Sequence, residues 1–150
     1  MRGLIIIALS AVLCGCAALG SSNSNDLLEL QRQAQQAYAD GNYVRASEYY
    51  QRLTMSMPSD ADTRYRLGNS LAREGRHEQA IQVYREALLR DPQHARAWYN
   101  MMQLQAQALT LTAMDARRHL DRKDPRARST LERAEQLIEV FDEHAPARTN

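Results

Sequence analysis

Two cysteines, four histidines and a scattering of carboxylates are the groups in this 150-residue chain that could do covalent or metal chemistry. A thiol can form a disulfide, act as a nucleophile or ligate a metal, and Cys14 and Cys16 stand together behind an apolar run from Leu4 to Leu13. His77, His94, His119 and His144 are isolated, and none has a second ligand at metal spacing. The chain has no HExxH helix, no nucleophile elbow and no glycine-rich phosphate loop, and Glu132 and Glu135 read as part of an ordinary charged helix face. No group of residues satisfies the geometry and pairing that a catalytic constellation needs. The chain therefore reads as a non-enzyme without a cofactor. With a net charge of +1 it is not built for nonspecific attraction to nucleic acid.

The elements that would position any binding residue come from a repeat. Leu27–Pro58 laid over Ala61–Pro92 at an offset of about 34 residues aligns Ala34 with Gly68, Gly41 with Gly75, Ala46 with Ala80, Tyr50 with Tyr84 and Pro58 with Pro92. Each coincidence has a packing reason. Gly41 and Gly75 end a helix where the backbone needs a left-handed or very tight turn. The small residues sit where two helices approach closely, the tyrosines fill the space beside them, and Pro58 and Pro92 stop the second helix of each pair.

Leu67, Gly68, Gly75, Ala80, Tyr84, Ala87 and Pro92 in the second unit make the sequence resemble the tetratricopeptide-repeat family. The first unit is a weaker copy, with Ala34 for glycine and Leu53 over the small Ala87. The resemblance implies an all-α fold, a short α-solenoid of helix hairpins, with two repeat units over residues 26–92.

The helices are expected from about Asp26 to Asp40, capped by Ser24 or Asn25, from Tyr43 to Met57, from Asp60 to Glu74 and from His77 to Arg90. After Pro92 the pattern breaks, because no glycine lies near Leu109 to end the next helix. That helix is expected to run from His94 to Leu120, about 40 Å at 1.5 Å per residue. Its apolar stripe is Trp98, Met101/Met102, Leu109, Ala113, Ala116 and Leu120, and the methionines Met101, Met102 and Met114 read as core. Asp124-Pro125 opens a last helix with Ala127, Leu131, Ala134, Leu137/Ile138 and Phe141 on its inner face. Residues 93–144 would thus form a third, irregular pair, and residues 145–150 a disordered tail.

The amino end supplies a second resemblance. The run from Leu4 to Leu13, with Arg2 before it, is too short to span a bilayer and fits a signal peptide over residues 1–15. Leu13-Cys14-Gly15-Cys16 resembles the lipobox of bacterial lipoproteins, with an aliphatic residue three before and a small one directly before the acylated cysteine. The resemblance implies cleavage before Cys16 and covalent lipid on Cys16, which leaves no thiol for disulfide, catalysis or metal. Ala17 in place of aspartate points to the outer membrane, facing the periplasm. Residues 16–25, small and polar, are expected to be a flexible tether.

In tetratricopeptide proteins the first helices of successive pairs line a groove for peptides. The positions carried over are Gln31, Gln35 and Tyr38, then Tyr65, Asn69 and Arg73, then Arg96, Tyr99, Asn100 and Gln103. Amides there can bridge a peptide backbone without reading its side chains. Asn69 and Asn100 match the two asparagines used this way in chaperone-binding members, whereas Tyr65 stands where the first lysine of their carboxylate clamp would be. Arg117, Arg118, His119, Arg122, Lys123, Arg126 and Arg128 form a basic cluster suited to lipid headgroups, an acidic partner or peptidoglycan, or simply to the carboxyl end of a helix. Lipobox, tether and repeats together resemble the pilot lipoproteins of type IV pili and the assembly lipoproteins of Flp/Tad pili. That resemblance implies a scaffold with a protein partner of the cell envelope, in pilus or secretion-machine assembly. The alternative is an adaptor or regulator of a peptidoglycan-remodelling enzyme.

Overall fold

The computed structural model describes residues 16–143, and the expected signal peptide, the residues of the lipobox before Cys16 and the expected tail lie outside that range. The described residues form six helices and no strand: α1 (Cys16–Ala39), α2 (Tyr43–Ser56), α3 (Ala61–Arg73), α4 (His77–Arg90), α5 (Ala95–His119) and α6 (Pro125–Glu143). They divide into two compact units, one ending at Pro92 and one beginning at Gln93.

In the first unit α1 packs on α2, α2 on α3 and α3 on α4. The two helix hairpins close with the same chemistry. Gly41 and Gly75 have φ of 75° and 80°, where a Cβ would be strained. At the first turn Asn42 N–H donates to Ala37 O (2.9 Å) and Gly41 N–H to Tyr38 O (3.1 Å). At the second, Arg76 N–H donates to Leu71 O (2.9 Å) and Gly75 N–H to Ala72 O (3.1 Å). Both are Schellman motifs, which satisfy the carbonyls a helix end would leave unpaired.

The second helices also end alike. Met57 N–H donates to Leu53 O and Asp91 N–H to Ala87 O. Met57 and Asp91, each directly before a proline, leave the helical region with ψ of 69° and 91°. Each new helix is then capped, by Asp60 Oδ2 accepting from Thr63 N–H at 2.8 Å and, in the second unit, by His94 Nδ1 accepting from Ala97 N–H at 3.2 Å. His94, isolated in sequence, is a cap.

The core of the first unit is Ala34, Ala46, Tyr50 and Leu53 in one hairpin and Leu67, Leu71, Ala80, Tyr84 and Ala87 in the next. Burying each large apolar side chain contributes roughly 1.5–3 kcal/mol. Gly68 is needed for the closest approach, since a Cβ built there would lie 2.5 Å from Tyr84 Cε1. Burial pushes the Tyr50 phenol above its ordinary pKa.

Arg64 occupies the position of Trp98 one repeat later, yet it is buried. Its Nη1 donates to Asp60 O at 3.1 Å and Met57 O at 3.4 Å, and Glu86 Oε2 lies 3.6 Å from its Nε. Burial lowers the guanidinium pKa, Arg90 lowers it further, and Glu86 opposes the shift. Arg90 Nε donates to Pro58 O at 2.6 Å. Two arginines thus hold the carbonyls of the turn that joins the repeats.

Two expectations are corrected here. Residues 17–25, read as coil, belong to α1, which starts at Cys16 and not near Asp26. The stretch contains no proline and only one glycine, so nothing in it prevents helix propagation outward from the packed turns. Ten helical residues span about 15 Å, a reach similar to that of the coil but rod-like.

The second correction concerns the apolar stripe of the second unit. α5 has the expected length, 25 residues or about 38 Å, and packs on α6, which opens with Asp124 Oδ1 accepting from Arg126 N–H at 2.8 Å. Met101, Leu104, Ala113, Ala127 and Leu131 are buried, but Trp98, Met102, Met114 and Leu137 are exposed. Without the small residues of the repeat, α5 and α6 do not close on one another, and the stripe is only partly covered.

Candidate functional site

The candidate surface of the first unit is built from α1, α2 and α3. Gln31, Gln35 and Tyr38 lie along α1, and Tyr65, Asn69 and Arg73 along α3. Helical spacing of three to four residues puts each set on one face of its helix. Gln35 and Arg73 are exposed, and the other four are half-buried.

At one end of this surface an aromatic step joins three helices. The Tyr38 ring meets the Tyr43 ring edge-on at 5.2 Å between centroids. Arg73 from α3 lies with its Cζ 5.1 Å from the centre of the Tyr43 ring, and its Nη2 donates to Tyr43 Oη at 2.9 Å. That hydrogen bond is the main cause raising the Arg73 pKa. Burial raises the Tyr38 phenol, while the nearby Arg73 charge opposes the shift and Tyr43, Tyr65 and Tyr50 add to it.

In the middle, Tyr65 and Tyr84 lie 6.1 Å apart, and Tyr84 Oη donates to Asn69 Oδ1 at 2.7 Å. Asn69 is thereby oriented by α4. At the far end Gln31 Nε2 points to Met57 Sδ at 3.7 Å. Tyr43 is not among the groove positions expected from the repeat. Its signal is its place directly after the Gly41-Asn42 turn, where an aromatic can lean on the last turn of the helix before.

The remaining candidates belong to the second unit. Arg96, Tyr99, Asn100 and Gln103 lie on the first turns of α5, where Gln103 Nε2 donates to Tyr99 Oη at 2.7 Å. Arg96 and Tyr99 are exposed, while Asn100 and Gln103 are half-buried. Of the basic cluster, Arg117 pairs with Glu135 across the hairpin, and Arg118 Nη1 lies 3.4 Å from Asp115 Oδ1. Arg117, Arg118 and His119 occupy the last turn of α5, where positive charge favours the helix carboxyl end.

Among the described residues no three His, Cys, Asp or Glu side chains are grouped to hold a metal, and no helix is long and apolar enough to cross a membrane. The surfaces offer aromatic faces, amides and a fixed guanidinium, which is chemistry for binding a chain.

A tetratricopeptide-repeat family model matches residues 37–108. The fold is of the tetratricopeptide type. The match stops one residue before Leu109, where the repeat would require a glycine that the chain lacks. Solved structures of similar fold agree. A type III secretion complex from Aeromonas hydrophila is 21% identical, with a TM-score of 0.58, covering 91% of this chain and 95% of that one. The type III secretion translocator chaperone SycD of Yersinia enterocolitica is 20% identical with a TM-score of 0.56, covering 79% and 85%. The tetratricopeptide domain of Arabidopsis OM64 is 16% identical with a TM-score of 0.54, covering 75% and 96%. At these identities the likeness is one of fold. A search of curated proteins found no match.

Proposed function

We propose that this protein is a lipid-anchored scaffold of the bacterial envelope that binds a protein partner through the α1–α3 surface. The observation that carries the binding role is the step made by Tyr38, Tyr43 and Arg73, in which three helices fix two aromatic faces and one cation at one end of a surface that also carries the amides of Gln31, Gln35 and Asn69. Such a surface grips an extended or helical peptide by stacking on its side chains and by hydrogen bonding its backbone. Because these side chains already lean on each other, little rotamer entropy is lost on binding.

The anchor rests on Leu13-Cys14-Gly15-Cys16 and its resemblance to a lipobox. Acylation of Cys16 at the start of α1 would hold the repeats about 15 Å from the lipid surface along the first ten helical residues. The membrane would be the outer one, with the repeats in the periplasm, and the partner a component of a pilus or secretion machine.

Affinity capture with the full chain from envelope extract is expected to recover an assembly component such as a secretin, and Tyr38→Ala with Arg73→Ala to abolish that recovery. Recovery of a wall hydrolase would replace the assembly role with the adaptor role, and capture unchanged by both substitutions would remove the α1–α3 surface from the proposal. Cys16→Ser is expected to shift the protein out of the membrane fraction or leave it unprocessed. Normal fractionation of that variant would refute lipidation.

A further inference from the structure

Arg73 is a fixed cation without a counter-charge. It is the last residue of α3, where a guanidinium commonly hydrogen bonds the carbonyls of its own last turn. Instead it reaches back to α2, with Cζ 5.1 Å from the centre of the Tyr43 ring and Nη2 donating to Tyr43 Oη at 2.9 Å. The nearby acids are already spent. Glu74, its side chain only 7% exposed, accepts from Arg76 at 3.0 Å, Asp62 accepts from Arg66 at 2.6 Å, and Asp40 accepts from Gln36 at 2.8 Å. Among the described residues no carboxylate pairs with Arg73. The groups that raise its pKa are Tyr43 first and Tyr38 after it, and no carboxylate is among them. The bond to Tyr43 uses a single donor of the guanidinium fork and leaves the rest of this exposed side chain open to a carboxylate.

The other end of the same surface is apolar. Leu28, Gln31, Gln35 and Tyr38 follow one another along α1 at spacings of three, four and three residues, which is one stripe of a helix. Leu28 is 62% exposed. From Leu28 to Tyr38 the stripe is about 15 Å long at 1.5 Å per residue, and an extended chain covers that length in about four or five residues. Between the ends lie the amides of Gln31 and Gln35, which can bond a peptide backbone and carry no charge. Gln31 and Tyr65, which stand where a clamp for a chain end would need lysine, are neutral, so one cation is left to meet one acidic group.

Resting on the reading of α1–α3 as the binding surface, we propose that it selects an extended peptide with an Asp or Glu side chain on Arg73 and a large apolar side chain four or five residues away on Leu28. The carboxylate takes two hydrogen bonds from a guanidinium that Tyr43 already holds in place, so little rotamer entropy is lost in forming the pair. A basic side chain at that position would meet Arg73 as a like charge and is rejected. The apolar contact at Leu28 sets the register, since the amides between the two ends do not distinguish one residue from the next.

The test is selection of random peptides displayed on phage through their carboxyl ends, so that no free terminal carboxylate is offered, against the full chain in a nonionic detergent. Peptides retained by the wild type are expected to carry Asp or Glu four or five residues from a large apolar residue. Arg73→Glu should weaken a selected peptide more than about tenfold in fluorescence anisotropy while helix content by circular dichroism stays unchanged. Selection against that variant should return Lys or Arg in place of the acid, and Leu28→Glu should relax the apolar position alone. Peptides that Gln35→Trp displaces but that show no acid would overturn this inference and leave the binding surface standing. An acid indifferent to Arg73→Glu, or an apolar position indifferent to Leu28→Glu, would overturn it as well. Retention of no peptide that Gln35→Trp displaces would remove the surface itself, and this inference with it.

Discussion

The two units of this protein solve the same packing problem in different ways. In the first, Gly68 lies against Tyr84, Ala34 and Tyr50 at the same repeat positions are both buried, and a left-handed glycine turns the chain as soon as the first helix of each hairpin has made its contacts. The helices are short after α1, and within the unit each packs on the next in sequence. In the second, no glycine follows Gly75 anywhere in the chain, α5 runs on to His119, and the pair it makes with α6 keeps Met114 and Leu137 at the surface. The difference teaches that the repeat's glycines do more than turn the chain. They set helix length, and helix length decides whether a neighbour in the same chain can cover what the helix exposes.

That comparison breaks most readily at Gly68. With Tyr84 Cε1 2.5 Å from where a Cβ would be, Gly68→Val must push α3 and α4 apart, and we expect a loss of about 3 kcal/mol in urea denaturation. A loss under about 1 kcal/mol would mean that Tyr84 moves aside freely and that close approach is not what the first unit depends on.

Gly75→Val tests the turn. Its φ of 80° disfavours a branched residue, and the expected cost is about 1–3 kcal/mol; unchanged stability would show that the backbone relaxes out of the left-handed region. Tyr84→Phe removes the hydroxyl that donates to Asn69 and should cost about 1 kcal/mol, while also weakening partner capture through a less fixed Asn69. Stability lost without any change in capture would separate Asn69 from the binding surface.

In the second unit the expectation is reversed. Leu111 is 63% exposed on α5, so Leu111→Ala should change stability by less than about 0.5 kcal/mol. A core-sized loss would show that this face of α5 is covered in solution.

The smallest effect is expected on α1. Arg32 and Gln33 hydrogen bonds hold the Glu29 carboxyl down to about 2 from 4.5. A depressed carboxylate contributes its stability above the unfolded value, and that contribution is lost as pH falls from 4.5 toward 2. Because the pair is on the surface, Glu29→Gln should flatten this acid limb slightly and leave stability at pH 7 nearly unchanged. A large change at pH 7 would mean that the pair is more than a surface contact.

Much of the first unit was legible in the residues because its rules are local. A glycine that must turn left-handed, a residue that must extend before proline and a small residue opposite a tyrosine all act within one hairpin, and all recur at one period. Tyr43 and Arg64 were not legible. Tyr43 matters only because Tyr38 and Arg73 reach it from two other helices, and Arg64 reads as a surface charge until the turn carbonyls of Met57 and Asp60 are seen around it. The start of α1 at Cys16 departs from the expected Asp26 for a related reason. The coil-like composition of residues 17–25 is a weak local preference, and a helix already nucleated on a packed core extends past such residues at little cost.

Composition and periodicity by themselves determined that this chain pairs short helices, where those pairs turn, and that no glycine ends the helix near Leu109, since each depends on backbone limits of individual glycines and prolines. Tertiary structure alone decided which polar side chains are free to meet a partner and which are spent on a neighbouring helix, as Asn69 is partly spent on Tyr84. It also decided that the last hairpin leaves its apolar stripe only partly covered, because whether two helices close on each other depends on the volumes that meet between them, and no single stretch of sequence contains both sides.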